Sequence, residues 1–527
     1  MNQVVGFLYR YKTSYIGLLL VFSIVLGLSI AGQYGMGWDE PTSDHGGKVA
    51  LAYVRNVGDS NARMWTDYMR YYGVAFELPL AFAEETFNLS SHDTYVFRHM
   101  VTFLLFLVGV FFFYLFCFKR FKSVWLPLLG AVFLLVSPRI FADAFYNSKD
   151  IPALVFFVIS IFTLTRLLEK PNFKNILWHA LACALLIDIR LPGIFVPVLT
   201  IGFFVLDFMF LAEERKVWRK TLILLSAYLV SLVGLVVLFW PFLWQHPVAH
   251  FLEAYADMSH FSRQDGLLVL YAGQTAAASE LPWHYIPLWI LITTPLTYIV
   301  LFFLGVGTSI GRFFGNIPEY VRTRRQDLVV LAWFFGPLSA VILLHSIVYD
   351  GWRQMYFIYP ALLYLSLVGV EELLTFLKHY EARVQRLGKR LLIFIVALSI
   401  LGTMWFMIRN HPYQNLYFNA LVGGEGNARN NFEMDYWGLT FREGLEYIAV
   451  HDRDAVIPVL FAGGSPENLL ILTPKVKSRF SVQTDMDAAK YVLSNYRWQQ
   501  YDTMPWDNEF YSVKVDGENV MTIFKMY

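Results

Sequence analysis

The sequence predicts an α-helical polytopic membrane protein that ends in a small α/β domain. Of its 527 residues, 57% are hydrophobic and only 16% are charged, which is more apolar than a soluble domain requires. The apolar residues are gathered in runs long enough to cross a bilayer. Beyond residue 409 the chain becomes markedly more polar. We therefore expect about eleven transmembrane helices in residues 1–409 and a separate domain in residues 410–527.

Eleven apolar runs are predicted to span the membrane. A helix needs roughly 20 residues to cross, and the third run, at about 15 residues, is short by that standard. The first run carries no convincing cleavage motif after it, so we interpret it as a span and not as a signal peptide. The runs comprise residues 13–33, 96–118, 123–138, 151–168, 174–188, 192–211, 220–240, 284–309, 328–347, 355–376 and 391–409.

The basic residues predict the orientation of these spans. Five loops, after spans two, four, six, eight and ten, hold 19 Lys and Arg residues, whereas the short connections on the other side hold five. Positive residues accumulate on the cytoplasmic side. We therefore expect the N-terminus in the cytoplasm and the last domain outside, in a multi-pass protein of the cytoplasmic membrane. The net charge of +1 gives no reason to expect a nucleic-acid partner.

Three segments are predicted to lie outside the bilayer. Residues 40–95 form an outer loop with two helical patterns, Asp44–Arg55 and Asp67–Glu85, and residues 240–283 form a second outer loop. In the last domain, helices are predicted at Phe441–Val450 and Asp487–Asn495 and a strand at Ala455–Phe461. Asp516-Gly517 between two alternating runs predicts a hairpin of Phe510–Lys514 and Val520–Met526.

Ionisable residues collect at the outward turns. Such groups are costly near a bilayer unless they are paired or used. Any one pair, such as Asp188 with Arg190, could be a structural salt bridge, but the whole set predicts a cavity that opens outward. The set comprises Asp39, Glu40, Asp44, His45, Arg139, Asp143, Lys149, Asp150, Asp188, Arg190, Tyr349, Asp350 and Arg353.

Carboxylates and cations in one outer cavity suit a particular reaction. Nucleotide sugars and ATP are absent outside the cell, so a synthetic enzyme there needs a donor held in the membrane, such as a polyprenyl-phosphate sugar. The phosphate leaving group needs cations, and an acceptor hydroxyl needs a carboxylate base. The candidate phosphate ligands are Arg139, Lys149, Arg190 and Arg353, which the sequence does not rank.

Several motifs resemble the polytopic C-type glycosyltransferases, the class that includes protein O-mannosyltransferases and the aminoarabinose transferase of lipid A. Trp38-Asp39-Glu40-Pro41, after the first span, looks like the acidic motif of that class. Four further stretches are similar in kind: 138–152, 281–295, 349–353 and 411–439. The resemblance covers the membrane part as a whole.

The resemblance implies an inverting sugar transfer from a polyprenyl-phosphate donor to a lipid, glycan or protein acceptor. Asp39 would be the base, and Glu40 would orient the acceptor or raise the proton affinity of Asp39. No cofactor is implied. A divalent metal held by Asp39, Asp44 and His45 is the alternative, by likeness to the related oligosaccharyltransferases.

Other interpretations stay open. A transporter or flippase for a lipid-linked glycan would also place charges in the membrane, although such proteins often show paired halves that are not visible here. An outer-face glycan ligase or polymerase, and a non-catalytic scaffold, are further alternatives. Asp452-Arg453-Asp454 and Asp485-Met486-Asp487 match the D-x-D pattern of nucleotide-sugar transferases, but we interpret Thr484-Asp485 as a helix cap in the outer domain.

Overall fold

The protein is mostly helical, with one small mixed sheet near its C-terminus. The computed structural model describes residues 12–57, 68–121, 123–211, 215–260, 266–423, 425–464, 466–497 and 506–527. Within this part of the chain, eight helices are long and apolar enough to cross a membrane, or nine when one bent pair is counted as a single span. The predicted fold class, a helical polytopic membrane protein with a small C-terminal sheet domain, is confirmed.

Each predicted span contains an observed helix. Two of these helices, Phe173–Ile189 and Phe195–Leu211, have 17 residues each, just short of the length of a full crossing. In chain order the helices of the membrane part are α1 (Lys12–Ile30), α4 (Ser91–Phe121), α5 (Trp125–Leu135), α6 (Pro138–Tyr146), α7 (Asp150–Glu169), α8 (Phe173–Ile189), α9 (Phe195–Leu211), α10 (Arg215–Phe239), α12 (Tyr285–Thr293), α13 (Leu296–Gly315), α14 (Ile317–Thr323), α15 (Arg325–Leu343), α16 (Tyr359–Phe376) and α17 (Ala382–Arg409).

The apolar helices are broken at two places, and proline is the reason for both. The first break falls at the predicted end of the third span, and the second divides the eighth span, which was predicted as continuous. The third span bends by 63° between α5 and α6. The eighth is divided between α12 and α13. Ser137 and Thr294, which precede Pro138 and Pro295, both have extended backbones. Proline disfavours the helical conformation of the residue before it, so each helix ends there.

The two predicted outer loops both contain helices. Those of the first loop were expected but have other bounds, and the helix of the second loop was not predicted. The first holds α2 (Asp39–Arg55), a single 3₁₀ turn at Tyr68–Tyr71 and α3 (Glu77–Thr86). The predicted helix over Asp67–Glu85 is therefore wrong as one element, and Asp67 itself lies outside the described residues. The second loop holds α11 (Pro247–His260) and a hairpin of β1 (Leu268–Tyr271) and β2 (Gln274–Ala277).

The domain of residues 410–527, which we call the outer domain after its predicted location, is built on a five-stranded mixed sheet in the order β4-β3-β5-β7-β6. The strand near Ala455 and the final hairpin are confirmed, and the hairpin turns at Asp516 and Gly517 with φ of 47° and 98°. The elements are α18 (Glu425–Asn431), α19 (Phe441–His451), β3 (Ile457–Ala462), α20 (Pro474–Lys477), β4 (Phe480–Val482), β5 (Tyr491–Ser494), β6 (Glu509–Val515) and β7 (Glu518–Lys525).

The predicted helix over Asp487–Asn495 is wrong. Its second half is strand β5, which pairs with β3 and β7 in the middle of the sheet. All four residues of β5 are buried, so its sequence shows no alternation that would distinguish a strand from a buried helix. The proposed cap at Thr484-Asp485 fails with that helix. Asp485 instead accepts a hydrogen bond from the Asp487 amide in a turn.

The outer domain docks directly on the exit of α1. The Asn468 side chain accepts from the Met36 amide at 2.9 Å and donates to the Met36 carbonyl at 3.0 Å. Arg442 donates to the Tyr34 carbonyl at 2.6 Å. A Cβ at Gly35 would lie 2.1 Å from the Leu439 carbonyl oxygen, so only glycine fits there. The segment that leads to the acidic motif is therefore clamped by residues from the last part of the chain.

Candidate functional site

The acidic motif forms the first turn of α2. Trp38 precedes the helix, and Asp39 and Glu40 occupy its first turn, where the helix dipole favours negative charge. The Glu40 carboxylate accepts from the Gly37 amide at 2.9 Å and lies 3.0 Å from Nε2 of His99. Glu40 is only 2% exposed. It holds the turn in place, while Asp39 is left free to face the neighbouring outer turns.

Asp39 lies beside Arg353 in a group of alternating charges. Its Oδ2 atom is 3.5 Å from Nη1 of Arg353. The same Nη1 is 3.2 Å from Asp150, and Nη2 of Arg353 donates to Asp350 at 3.0 Å. Arg190 also pairs with Asp150. We refer to this group as the outer ionic cluster; Arg497 is described below. Its members are Asp39, Lys149, Asp150, Arg190, Asp350, Arg353 and Arg497.

The turn before α7 positions Lys149 and Asp150. The Asn147 side chain accepts from the Asp150 amide at 2.8 Å and donates to the Asp150 carboxylate at 3.0 Å. The Lys149 ammonium lies 4.9 Å from the centre of the Tyr72 ring. Asp150 is therefore fixed at the start of the helix, and Lys149 extends toward the first outer loop.

The Asp350-Gly351 turn presents Asp350 to Arg353. Both residues have positive φ, 55° and 70°, which turns the chain tightly after Tyr349. The Arg353 guanidinium lies 5.4 Å from the Tyr349 ring and 4.7 Å from the Trp437 ring. Tyr349 and Trp437 therefore both make cation–π contacts with Arg353.

Asp188 and Arg190 do not form the structural pair that was considered. Asp188 accepts from the Ala75 amide at 2.5 Å and so ties the first outer loop to the end of α8. Arg190 follows the helix in an extended conformation and reaches Asp150. The two side chains diverge because the helix ends between them.

Arg497 of the outer domain is a cluster member that the sequence did not indicate. Its Nη2 atom lies 2.5 Å from Asp350, and its guanidinium lies 4.7 Å from the Trp38 ring. Glu433, also unforeseen, lies 3.6 Å from Nε of Arg497. Arg497 comes from a region without a recognisable motif, and Glu433 lies within the stretch 411–439 but was not singled out there. The mixed charge at the other outward turns was the only available hint that a further cation would be needed.

The electrostatics of Asp39 differ from expectation. Burial raises the pKa of Asp39, but Lys149, Arg353, Arg190 and Arg497 together outweigh burial and hold the pKa below its ordinary value. The predicted rise of proton affinity from Glu40 is not found, because the Glu40 carboxylate is engaged by His99. Asp39 is therefore ionised at neutral pH in the cluster as it stands.

Asp44 and His45 lie apart from this cluster. Asp44 pairs with Lys48 at 2.7 Å and lies 3.8 Å from Arg98. Arg98 also pairs with Glu77 and with Glu84, in a buried network behind α2. His45 is exposed. Asp39, Asp44 and His45 are therefore not assembled as a metal-binding set, and the described residues contain no group of three or more His, Cys, Asp or Glu that could hold a metal ion.

Arg139 is buried in an aromatic box beside the cluster. Its guanidinium lies 5.1 Å from the Trp289 ring and 4.7 Å from the Phe418 ring, and its Nε donates to the Tyr417 carbonyl. Among the described residues, no carboxylate forms an ion pair with it. Of the four candidate phosphate ligands, Lys149, Arg190 and Arg353 are thus brought together, and Arg139 is not in direct contact with them.

Residues 85–240 match the family model described as dolichyl-phosphate-mannose-protein mannosyltransferase. This range includes Arg139, Lys149, Asp150 and Arg190 but not Asp39 or Arg353. No curated protein sequence matches the chain significantly.

Solved structures show remote likeness to the chain. The crystal structure of ArnT from Cupriavidus metallidurans bound to undecaprenyl phosphate is 12% identical, with a TM-score of 0.49 over 97% of this chain and 98% of that one. The apo form of the same protein is also 12% identical, with a TM-score of 0.48 over 97% of this chain and 98% of that one. A third structure is that of an oligosaccharyltransferase from Archaeoglobus fulgidus, tethered to an acceptor peptide containing the NVT sequon. It is 12% identical, with a TM-score of 0.44 over 92% of this chain and 69% of that one. The family match over residues 85–240 confirms the resemblance to the polytopic glycosyltransferases that the sequence predicted.

Proposed function

We propose that this protein is an inverting glycosyltransferase that moves a sugar from a polyprenyl-phosphate donor to an acceptor hydroxyl, with Asp39 as the base. The family match supports glycosyl transfer in general. The donor class, the base and a site at the outer face of the cytoplasmic membrane are the further parts of the proposal.

The observation that carries the proposal is that Asp39 is accessible to solvent within the outer ionic cluster. The Asp39 side chain is 40% exposed, whereas those of Asp150 and Asp350 are 2% and 5% exposed. Asp150 and Asp350 are each held by two arginines, so their oxygens are occupied. Asp39 is therefore the cluster carboxylate that an acceptor hydroxyl can reach.

Donor binding would strengthen Asp39 as a base. In the free protein, four cations hold its pKa low, which favours the ionised form but weakens its pull on a proton. A phosphate bound by Arg353, Lys149 and Arg190 would neutralise part of that positive charge. The proton affinity of Asp39 would then rise when the donor is in place, which is when a base is needed.

The proposed step is a single displacement. The acceptor oxygen forms a bond to the anomeric carbon while its proton passes to Asp39. The bond from that carbon to the phosphate oxygen breaks, and both its electrons leave with the polyprenyl phosphate. Charge-assisted contacts from Arg353 and its neighbours stabilise the leaving phosphate. One displacement from the opposite face inverts the anomeric configuration.

The test compares Asp39→Asn with the unchanged protein and with Asp487→Asn, an exposed residue of the discounted D-x-D motif. Purified proteins are given polyprenyl-phosphate hexoses and candidate acceptors, and the released polyprenyl phosphate is measured. We expect Asp39→Asn to lower turnover by about 10²–10⁴-fold, the usual range for a lost general base. We expect Asp487→Asn to leave turnover within about twofold, because substitutions of exposed residues have small effects.

Two results would contradict the proposal. Equal turnover by Asp39→Asn and the unchanged protein would remove Asp39 as the base. Movement of lipid-linked glycan across a vesicle membrane without release of polyprenyl phosphate would favour the transporter alternative.

A further inference from the structure

We propose that Arg497 is a positioning residue of the donor site, through which the outer domain fixes Arg353 beside Asp39. This inference rests on the proposed function and gives the outer domain a part in the reaction. Arg497 acts on Arg353 through Asp350, with which it forms an ion pair, and it is also one of the four cations that add positive potential at Asp39.

A continuous chain of ion pairs joins the two domains. Arg497 contacts Oδ1 of Asp350 at 2.5 Å, and Oδ2 of the same carboxylate accepts from Arg353 at 3.0 Å. Arg353 then lies 3.5 Å from Asp39. Because Asp350 is held by one arginine on each oxygen, its plane and its distance from Arg353 are both defined.

Arg497 is itself held rigidly. The Asn495 side chain donates to the Asp435 carbonyl at 2.8 Å and accepts from the Arg497 amide at 3.3 Å. The Arg497 guanidinium donates to the Tyr436 carbonyl at 2.7 Å. The side chain is only 4% exposed. A cation fixed on three sides can orient its partner more closely than a mobile surface arginine.

The charge balance explains why a second arginine is useful. Without Arg497, Asp350 would be neutralised by Arg353 alone. With Arg497 present, Asp350 shares its charge, and Arg353 keeps positive charge that a phosphate can use. Burial and the nearby Asp350 carboxylate raise the Glu433 pKa to about 8 even though Arg497 lowers it, so Glu433 competes less for Arg497 than an ordinary carboxylate would.

Arg497 is not the sole contact that holds the outer domain in place. Asn468 and Arg442 clamp the exit of α1 independently. Removal of Arg497 should therefore leave a folded and docked protein in which the geometry of the cluster has loosened. Arg442→Gln is the matched control, since it removes an arginine at the same interface that does not contact the cluster.

The experiment measures donor turnover against pH for Arg497→Gln, Arg497→Lys, Arg442→Gln and the unchanged full-length protein, with a polyprenyl-phosphate hexose as the donor. Asp39 must be ionised to act, so turnover is lost as pH falls through its pKa. The groups that face Asp39 are the cations Lys149, Arg190, Arg353 and Arg497, together with Tyr349. Loss of one cation raises that pKa, so the acid limb should move to higher pH.

For Arg497→Gln we expect kcat/KM for the donor to fall about tenfold to hundredfold, and the acid midpoint to rise by about half a pH unit or more. Arg497→Lys should restore the midpoint but only part of kcat/KM, because an ammonium cannot hold both Asp350 and Tyr436 as a guanidinium does. Arg442→Gln should lower the melting temperature without moving the midpoint.

The outcomes separate the two proposals. If the unchanged protein does not consume the donor, the proposed function fails. If it does, and Arg497→Gln matches Arg442→Gln in midpoint and in kcat/KM, the inference about Arg497 is overturned. Should Arg497→Gln not fold, Arg497→Lys decides. For Arg497→Lys, a fall in kcat/KM of about threefold or more at an unchanged melting temperature supports the inference, and a smaller change overturns it.

Discussion

Asp39 and Asp44 lie five positions apart on one helix, yet they belong to different charge networks. Successive helical residues are rotated by about 100°, so five positions place two side chains roughly 140° apart. Asp39 faces Arg353, while Asp44 faces Lys48 and Arg98. The spacing argues against a shared metal site because the helix begins at Asp39; the sequence had predicted that it begins at Asp44, which left Asp39 outside the helix.

The partners of the charged residues were harder to predict than the residues themselves. The sequence indicated that Asp39, Asp150, Arg190 and Arg353 would meet, because all four follow or precede spans at the outer side. The pair of Asp188 with Arg190, which the sequence left open as an alternative, does not form, because α8 ends between the two residues. Arg497 could not be predicted, because only the docking of the outer domain brings it to the cluster.

The network around Arg98 leads to a prediction about stability. Arg98 is 1% exposed and is surrounded by Glu77, Glu84 and Asp44. Burial is the largest cause that raises the Glu84 pKa, and Arg98 opposes it. Arg98→Gln would leave the buried Glu77 carboxylate without its cation and would leave Lys48 as the remaining cation beside Asp44 and Glu84. We expect it to lower the free energy of unfolding by about 3–5 kcal/mol, the usual cost of breaking a buried ion pair.

Arg55→Gln is the control for this prediction. Arg55 pairs with Glu85, and their side chains are 47% and 57% exposed. Exposed pairs contribute about 0–1 kcal/mol. Denaturation of both variants in detergent gives the comparison, and similar losses for Arg98→Gln and Arg55→Gln would show that the buried network does not stabilise the fold.

At the scale of elements, α13 and α16 approach each other through facing glycines. A Cβ at Gly305 would lie 1.9 Å from the Leu365 carbonyl oxygen, and a Cβ at Gly369 would lie 2.1 Å from that of Leu301. Real Cβ atoms do not approach backbone so closely, so the helices would have to separate. Small residues at helix contacts are a common means of close packing in membranes.

We therefore expect Gly369→Ala to destabilise the protein and Gly307→Ala to be neutral or slightly stabilising. A Cβ at Gly307, on the same α13 helix, would meet nothing within 4 Å. Alanine also favours helix over glycine by about 0.8–1.0 kcal/mol where there is room. Melting temperatures of the purified variants test the prediction, which would be wrong if Gly369→Ala melted at or above the temperature of the unchanged protein.

Which elements were predicted correctly follows from the strength of the local signal. The final hairpin was predictable because Asp-Gly demands the positive φ values of a tight turn. Strand β5 was not, because burial on both faces removes the alternation of a strand. The break at Pro138 coincides with the predicted end of the third span, whereas the break at Pro295 was missed because apolar residues continue on both sides of it.

For the whole molecule, the composition was enough to predict the fold class, because apolar runs of this length have few alternatives to helices in a bilayer. The orientation of the chain is still a prediction, based on 19 basic residues on one side against five on the other. The assembly of the outer domain on the membrane part was beyond sequence reasoning, because its contacts join residues from distant parts of the chain.

Cysteine labelling in intact cells tests the orientation. Cys117 and Cys183 are fully buried, so they give little background. We expect a membrane-impermeant maleimide to label Asp487→Cys in intact cells, since Asp487 is exposed on the outer domain, and Lys378→Cys only after permeabilisation. The reverse labelling pattern would show that the orientation is opposite to the predicted one. The cluster would then face the cytoplasm, where nucleotide sugars are available, and the argument for a lipid-linked donor would fail.

The clamp on the exit of α1 has a consequence for biosynthesis. Ribosomes make α1 and the acidic motif first, but Met36 and Tyr34 are bound by Asn468 and Arg442, which are made near the end. Arg497 comes later still. A nascent chain that has already inserted most of its helices therefore has no completed site. Asp39 reaches its final setting only after residues 410–527 have been made and folded, so a chain released early lacks the contacts that complete the cluster around Asp39.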